Sequence, residues 1–242
     1  MHKLIPTLLA AGFVFGLANL AEAQTPGSND ARFVPAFLYP KQARPSGKSI
    51  NGWADRSVQW IYAQPFDHNP LFDQTGEDCD VGQTGPVWYL PPIASSAPGM
   101  FSRACTIPRG KAVLLMAMIV SDTYPCPDPN FKPAPGQSLY DFLVADSKTY
   151  PQLATLEVTL DGRPVRNAID YRYISENLIS LKGDPSLQAP FDSCITTDWQ
   201  PAITNGTFFM FRPLSLGRHV IVRRSTGASG MVNQFTYYLT VR

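Results

Sequence analysis

LEVTLDGRPV, residues 156–165, is the stretch that decides the fold class. Leu156, Val158 and Leu160 alternate with Glu157 and Thr159, the two-residue period of a strand with one face buried. Asp161-Gly162 follows at once. A two-residue turn between twisted strands needs positive φ at both positions, which Gly adopts freely and Asp tolerates. The spacing therefore predicts a β-hairpin.

Downstream, Tyr171–Ile174, Thr207–Phe211, Gly217–Arg223 and Gln234–Val241 carry the same β-type composition. In the third of these, Val220 and Val222 share a face opposite His219, Ile221 and Arg223, and His219 is expected on the outward register. Upstream, GPVWYLPPI (85–93), Arg103–Ile107 and the apolar run Ala112–Val120 read as strands, with Pro108–Lys111 as a turn. The prolines of YPCPDPNFKPAPG (124–136) exclude helix and central strand there. Two short helices are expected. One starts at Ser49, with Ile50, Trp53, Ala54, Val58 and Ile61 on one face and Pro65 beyond its end. The other is capped by Ser138 and carries Leu139, Phe142 and Leu143. About eight strands with so few helices predict a mainly β fold, an antiparallel β-sandwich or jelly-roll-like domain.

The N-terminus predicts export. His2 and Lys3 precede an uncharged apolar stretch, Leu4–Leu20, and then Ala21-Glu22-Ala23, which suits signal peptidase. Residues 1–23 are expected to be a signal peptide, leaving Gln24 as the first mature residue. Residues 24–48 read as an extended lead-in, and 49–242 as one β-sandwich domain. No cysteine stands at the cleavage point, so a lipid anchor is not expected, and no later apolar run approaches the roughly 20 residues of a membrane helix. The expected location is secreted or periplasmic.

With 20 basic and 19 acidic residues the chain is nearly neutral and has no basic run. Nucleic acid is therefore not an expected partner. Four cysteines in an oxidising compartment predict disulfides. Cys79–Cys105 and Cys126–Cys194 are the favoured pairs of three possible arrangements. Without a CxxC or Cys/His spacing, a thiolate metal site is not indicated.

Several stretches together resemble a group of uncharacterised exported bacterial proteins: NPLFDQTGEDCDVGQTGPVWYL, RACTIPRGKAVLL, TLDGRPV with YRYIS, and FRPLSLGRHVIV with YYLTV. The likeness runs from about Trp53 onward and departs at Val113-Leu114-Leu115, where Phe-Phe-Pro is usual in the group. It implies export and a single domain, and it implies no activity or catalytic residues.

Catalytic chemistry is thinly represented. Only His68 and His219 remain after cleavage, which excludes a three-histidine zinc site, and there is no HExxH. No GxSxG elbow accompanies the serines. Gly47-Lys48-Ser49 ends like a P-loop, but Gln42 stands where its first glycine is required.

DHNPLFDQTGEDCD (67–80) concentrates acids in one loop. Asp73, Glu77, Asp78 and Asp80 could offer oxygens to calcium, although Asp78 and Thr84 occupy the Gly and Glu positions of an EF-hand started at Asp73. Asp67, His68, Asp73 and Glu77 could instead act as acid and base on a glycan. A solvated acidic loop is the plain alternative. Trp53, Trp60, Trp88 and Trp199 could form a sugar-stacking surface or simply fill the core. The expected function is a non-enzymatic exported domain that binds a glycan, a polymer or an envelope protein, with Trp88 and the 67–80 loop as candidate contacts. The alternative is an extracellular hydrolase using that loop with His68.

Overall fold

A computed structural model describes residues 34–94, 98–150 and 152–242. The expected signal peptide and the first part of the lead-in lie outside the described residues. Ten strands form two five-stranded sheets among the described residues. The first sheet is ordered β1 (Val87–Leu90), β3 (Ala112–Thr123), β8 (Gln200–Phe211), β6 (Arg172–Ile174), and β7 (Ile179–Leu181) also pairs with β8. The second is ordered β2 (Gly99–Ile107), β10 (Val232–Val241), β9 (Gly217–Gly227), β4 (Leu153–Leu160), β5 (Arg163–Val165). The mainly β sandwich expected from the sequence is the fold observed.

Two pairings depart from the all-antiparallel expectation. β1 runs parallel to β3, and β2 runs parallel to β10. Parallel neighbours need a crossover rather than a hairpin. Between β1 and β3 the chain passes through β2 in the opposite sheet, and that excursion supplies the crossover.

The main core lies between the sheets, where Val113, Leu115, Phe209 and Phe211 meet Leu156, Val158, Leu160 and Ile221. The first sheet is covered on its other face as well. Helix α1 (Ile50–Tyr62) lays Ile50, Ala54, Val58 and Ile61 on Leu114, Met116, Phe208 and Met210. Burial on both faces explains why Ala112–Val120 of β3 and Phe208–Phe211 of β8 read as continuous apolar runs and not as alternating ones. Ser49 caps α1, its hydroxyl accepting from Gly52 N at 3.1 Å. Helix α2 (Leu139–Ser147) starts at Ser138, as the sequence predicts.

The hairpin forms at Asp161 (φ 51°) and Gly162 (φ 74°), with Leu160 opposite Arg163. On β9 the two-residue period holds but its sense is reversed. Ile221, Arg223 and Ser225 face the core, so His219 lies on the inward register. The misleading residue is Arg223, a buried guanidinium stacked 5.0 Å from the ring of Phe235. Burial lowers its pKa to about 10.

The packed body begins at Val34, not at residue 49. Leu38 is fully buried and bridges to Phe211, so 34–48 is part of the domain. β3 carries a bulge between Met116 and Met118. Gly206 pairs with Ile119 just past the bulge, and a Cβ there would fall 2.2 Å from the Met118 carbonyl oxygen, so this close approach requires glycine.

Candidate functional site

Beyond the bulge, β3 ends in Ser121, Asp122 and Thr123, and the proline-rich loop that follows is pinned to the loop before β8. The Cys126–Cys194 disulfide makes the joint, with Cα atoms 4.3 Å apart. Buried Gln200 reinforces it, its Nε2 donating to the carbonyls of Pro125 and Cys194, both at 2.9 Å. This junction, the end of α1 and the end of α2 enclose a cleft of about 570 Å³.

Three carboxyls, Asp122 from β3, Asp146 from α2 and Asp192 from the loop before Cys194, face the cleft, and exposed Asp128 of the proline-rich loop is a fourth on its lining. Its aromatic wall includes Tyr62, Phe131, Tyr150 and Phe191. Tyr62 and Phe191 are in edge contact, with ring centroids 5.8 Å apart. Among the described lining residues none is Lys, Arg or His.

Asp122 is only 5% exposed, and its Oδ2 has no hydrogen-bond partner among the described residues. Thr123, 2% exposed, likewise has an unpartnered hydroxyl. Burial, and after it the charges of Asp146 and Asp192, push the Asp122 pKa up to about 7. Burial raises Asp192 too, with the Cys194 N–H partly offsetting it, and burial raises Asp146. Unpartnered buried polar groups are uncommon because each forfeits hydration without compensation. Thr123 follows Asp122 in the strand and so points to its opposite face, which leaves the Asp122 carboxyl as the place in the cleft where a ligand can supply a missing partner.

The 67–80 loop is built differently. Asp73 spends its carboxylate on its own turn. Oδ1 accepts from Thr75 N (2.9 Å), Gly76 N (2.8 Å) and the Thr75 hydroxyl, and Oδ2 accepts from Asp78 N. Burial opposes ionisation, but these bonds outweigh it and hold the pKa below the usual carboxylate range. His68 Nδ1 contacts Asp78 at 3.1 Å on the surface, while Asp67, Glu77 and Asp80 are exposed. Among the described residues no group of three or more His, Cys, Asp or Glu is arranged to hold a metal ion. Replacing Asp73 by Ala is expected to cost about 2 kcal/mol in urea denaturation, with or without calcium. A loss seen only when calcium is present would make this loop a metal site.

Trp88 is buried (3% exposed), as are Trp53 and Trp60, whose indole N–H groups donate to the Pro45 and Val81 carbonyls. Trp199 alone of the four stands in solvent, 67% exposed, beside a groove with Arg56, Gln59 and Lys182. Asn205 of the Asn-Gly-Thr sequon is fully buried in β8 and donates to Ser147 Oγ at 3.0 Å. Cys79 and Cys105 come together, but as hydrogen-bonded buried thiols and not as the expected disulfide.

The fold also aligns Ser215, His219 and Asp161. His219 Nδ1 lies 2.8 Å from Asp161 Oδ2, and Nε2 lies 3.2 Å from Ser215 Oγ. The same Nε2 is nearer the Ser215 carbonyl oxygen, at 3.0 Å. Ser215 is exposed and does not line the cleft. Asp161 also accepts from Val220 N at 2.8 Å, so the arrangement clips the hairpin turn to β9.

The sequence pointed to the 67–80 loop and not to this cleft because density of carboxylates is visible along the chain and convergence is not. Asp122, Asp146 and Asp192 are far apart in sequence and flank no motif. The available signal was the cysteine pair, since a disulfide joining two Pro- and Asp-bearing loops gathers whatever those loops carry.

No family model and no curated protein matches the chain. A solved structure of PbICP-C in complex with falcipain-2 aligns with a TM-score of 0.25 and 9% identity, over 65% of this chain and 100% of that one. A likeness that low carries no argument about fold or function.

Proposed function

We propose that the protein is an exported, non-enzymatic binding module that holds a glycan in the cleft beside the Cys126–Cys194 disulfide. The observation that carries this reading is the buried Asp122 carboxyl of the cleft, whose Oδ2 has no hydrogen-bond partner among the described residues, set beside an aromatic wall. Carboxylates accept hydrogen bonds from neighbouring sugar hydroxyls, and aromatic rings receive the apolar face of a pyranose. The cleft offers both, at a volume within the range of small-ligand sites. Export rests on the leader-like N-terminus, and cell fractionation with N-terminal sequencing tests it by looking for Gln24 as the first residue.

Soluble oligosaccharides, with trisaccharides of glucosamine and N-acetylglucosamine among them, are titrated calorimetrically into the purified protein. One or more should bind, and Asp122→Asn should weaken that binding by at least about tenfold, the effect of losing one charge-assisted hydrogen bond. Trp199→Ala should leave it unchanged. Binding lost with Trp199 and kept without Asp122 would move the site to the other groove and overturn this assignment.

A carboxyl that holds its proton near neutrality beside two others is also what a glycosidase uses as general acid. The same mixtures are therefore followed for new reducing ends. Their release by the wild type, abolished in Asp122→Asn, would make the protein a hydrolase acting from this cleft and not from the 67–80 loop.

A further inference from the structure

We infer that the glycan unit held in this cleft carries a free ammonium group, an amino sugar whose nitrogen is not acylated. The inference rests on the glycan-binding reading and adds the charge of the ligand. Three carboxyls converge on one partly enclosed space from three separate segments, and no described lining residue is cationic. The ion pairs His68–Asp78 and His219–Asp161 lie elsewhere. Among the described lining residues no cation compensates the cluster.

A neutral sugar could hydrogen-bond these carboxyls, but it would leave their mutual repulsion in place. An ammonium group removes it, because three N–H donors on one point charge can be shared among convergent acceptors. Asp122 can then give up its proton to solvent and pair as the carboxylate. Tyr62 and Tyr150 favour the same occupant, since an aromatic face attracts a cation and repels an anion. The aromatic wall beside the carboxyls gives a pyranose ring a face to lie on, which accounts for a sugar and not a bare amine. The titratable groups facing Asp122 are Asp146 from α2, Asp192 from the loop before β8, Tyr62 from α1 and Tyr150 beyond α2, with exposed Asp128 at the rim. All of them are acidic.

The test is a matched titration of the full protein near neutral pH with the glucosamine trisaccharide, the N-acetylglucosamine trisaccharide and 1,3-diaminopropane. The glucosamine form is expected to bind at least about tenfold more tightly than the acetylated form. Its affinity should fall with added salt, and Asp122→Asn and Asp146→Asn should each shrink the preference. Removing either carboxyl removes repulsion, so both variants are expected to fold, which urea denaturation verifies. Equal binding of the two sugars would overturn the ammonium assignment and leave the glycan reading standing. Diamine binding as tight as that of the glucosamine trisaccharide would overturn the sugar and keep the charge. Binding of none of the three, with no other oligosaccharide bound, would sink both.

Discussion

Replacing Cys126 and Cys194 together by serine is expected to lower the melting temperature by on the order of 10 °C and to abolish ligand binding. The bond closes a segment of 68 residues. In the chain-entropy account a loop of that length stabilises the folded state by about 4 kcal/mol. A body of this size loses roughly 2–4 °C per kcal/mol. The effect on binding follows from position, since one cysteine follows the strand that carries Asp122 and the other lies two residues beyond Asp192. Gln200 would still bridge the two loops, but a hydrogen-bonded side chain cannot hold proline-rich backbone against its own freedom as a covalent link does. Thiol titration of the denatured, unreduced protein accompanies the melt. Two reactive thiols, from Cys79 and Cys105, are expected. None would mean that those two had also joined, and unchanged melting in the double variant would show that the bond does not organise the cleft.

The second large effect is a stability that falls as pH rises, relieved by Asp122→Asn. The Asp122 pKa stands near 7 in the fold against 3.8 for a free carboxyl. Between those values the native state holds a proton that the unfolded chain has released. The contribution of this proton is therefore complete at and below the unfolded value, declines through the interval, and is gone above the folded value. Three pH units of such linkage amount to roughly 4 kcal/mol at most. Asp146 and Asp192 are shifted the same way and add to the slope. Asp73 and Asp161 act with opposite sign, because their depressed values give stability that is lost only as pH falls through the acid range. Urea denaturation at about pH 5 and about pH 8 is thus expected to show the wild type losing a few kcal/mol across the interval. Asp122→Asn should lose clearly less, keeping only the slope from Asp146 and Asp192, and be the more stable protein at the upper pH. A wild type that gains stability between those two conditions would refute the burial assigned to Asp122.

Much of the fold was legible because it is written in local periods. The alternation at Leu156–Leu160, the Asp-Gly turn and the serine caps of both helices each depend on neighbours within a few residues, and each appears where the sequence places it. What failed was sense and partnership. Nothing along β9 says that Arg223 goes inward, because a buried guanidinium is tolerated only through an aromatic ring ten or more residues away in the next strand. Parallel pairing was equally hidden, since it arises from a detour of the chain through the opposite sheet. The cleft illustrates the same limit. Sequence displayed the crowded acids of 67–80, among which Asp73 is satisfied by its own turn, and concealed the dispersed Asp122, Asp146 and Asp192, the first of which is buried with an unpartnered oxygen.

The place of β10 in its sheet carries a consequence for how the molecule comes into being. Val232–Val241 lies between β2 and β9, giving β2 its neighbour through nine consecutive residue pairs. On the ribosome, β2 is made more than a hundred residues before that partner exists, and its apolar positions wait uncovered until then. The second sheet cannot close before β10 has been made, and such long-range closure is slow even then. The emerging chain therefore remains open to a chaperone until that point, and the sandwich is sealed only once β10 has arrived.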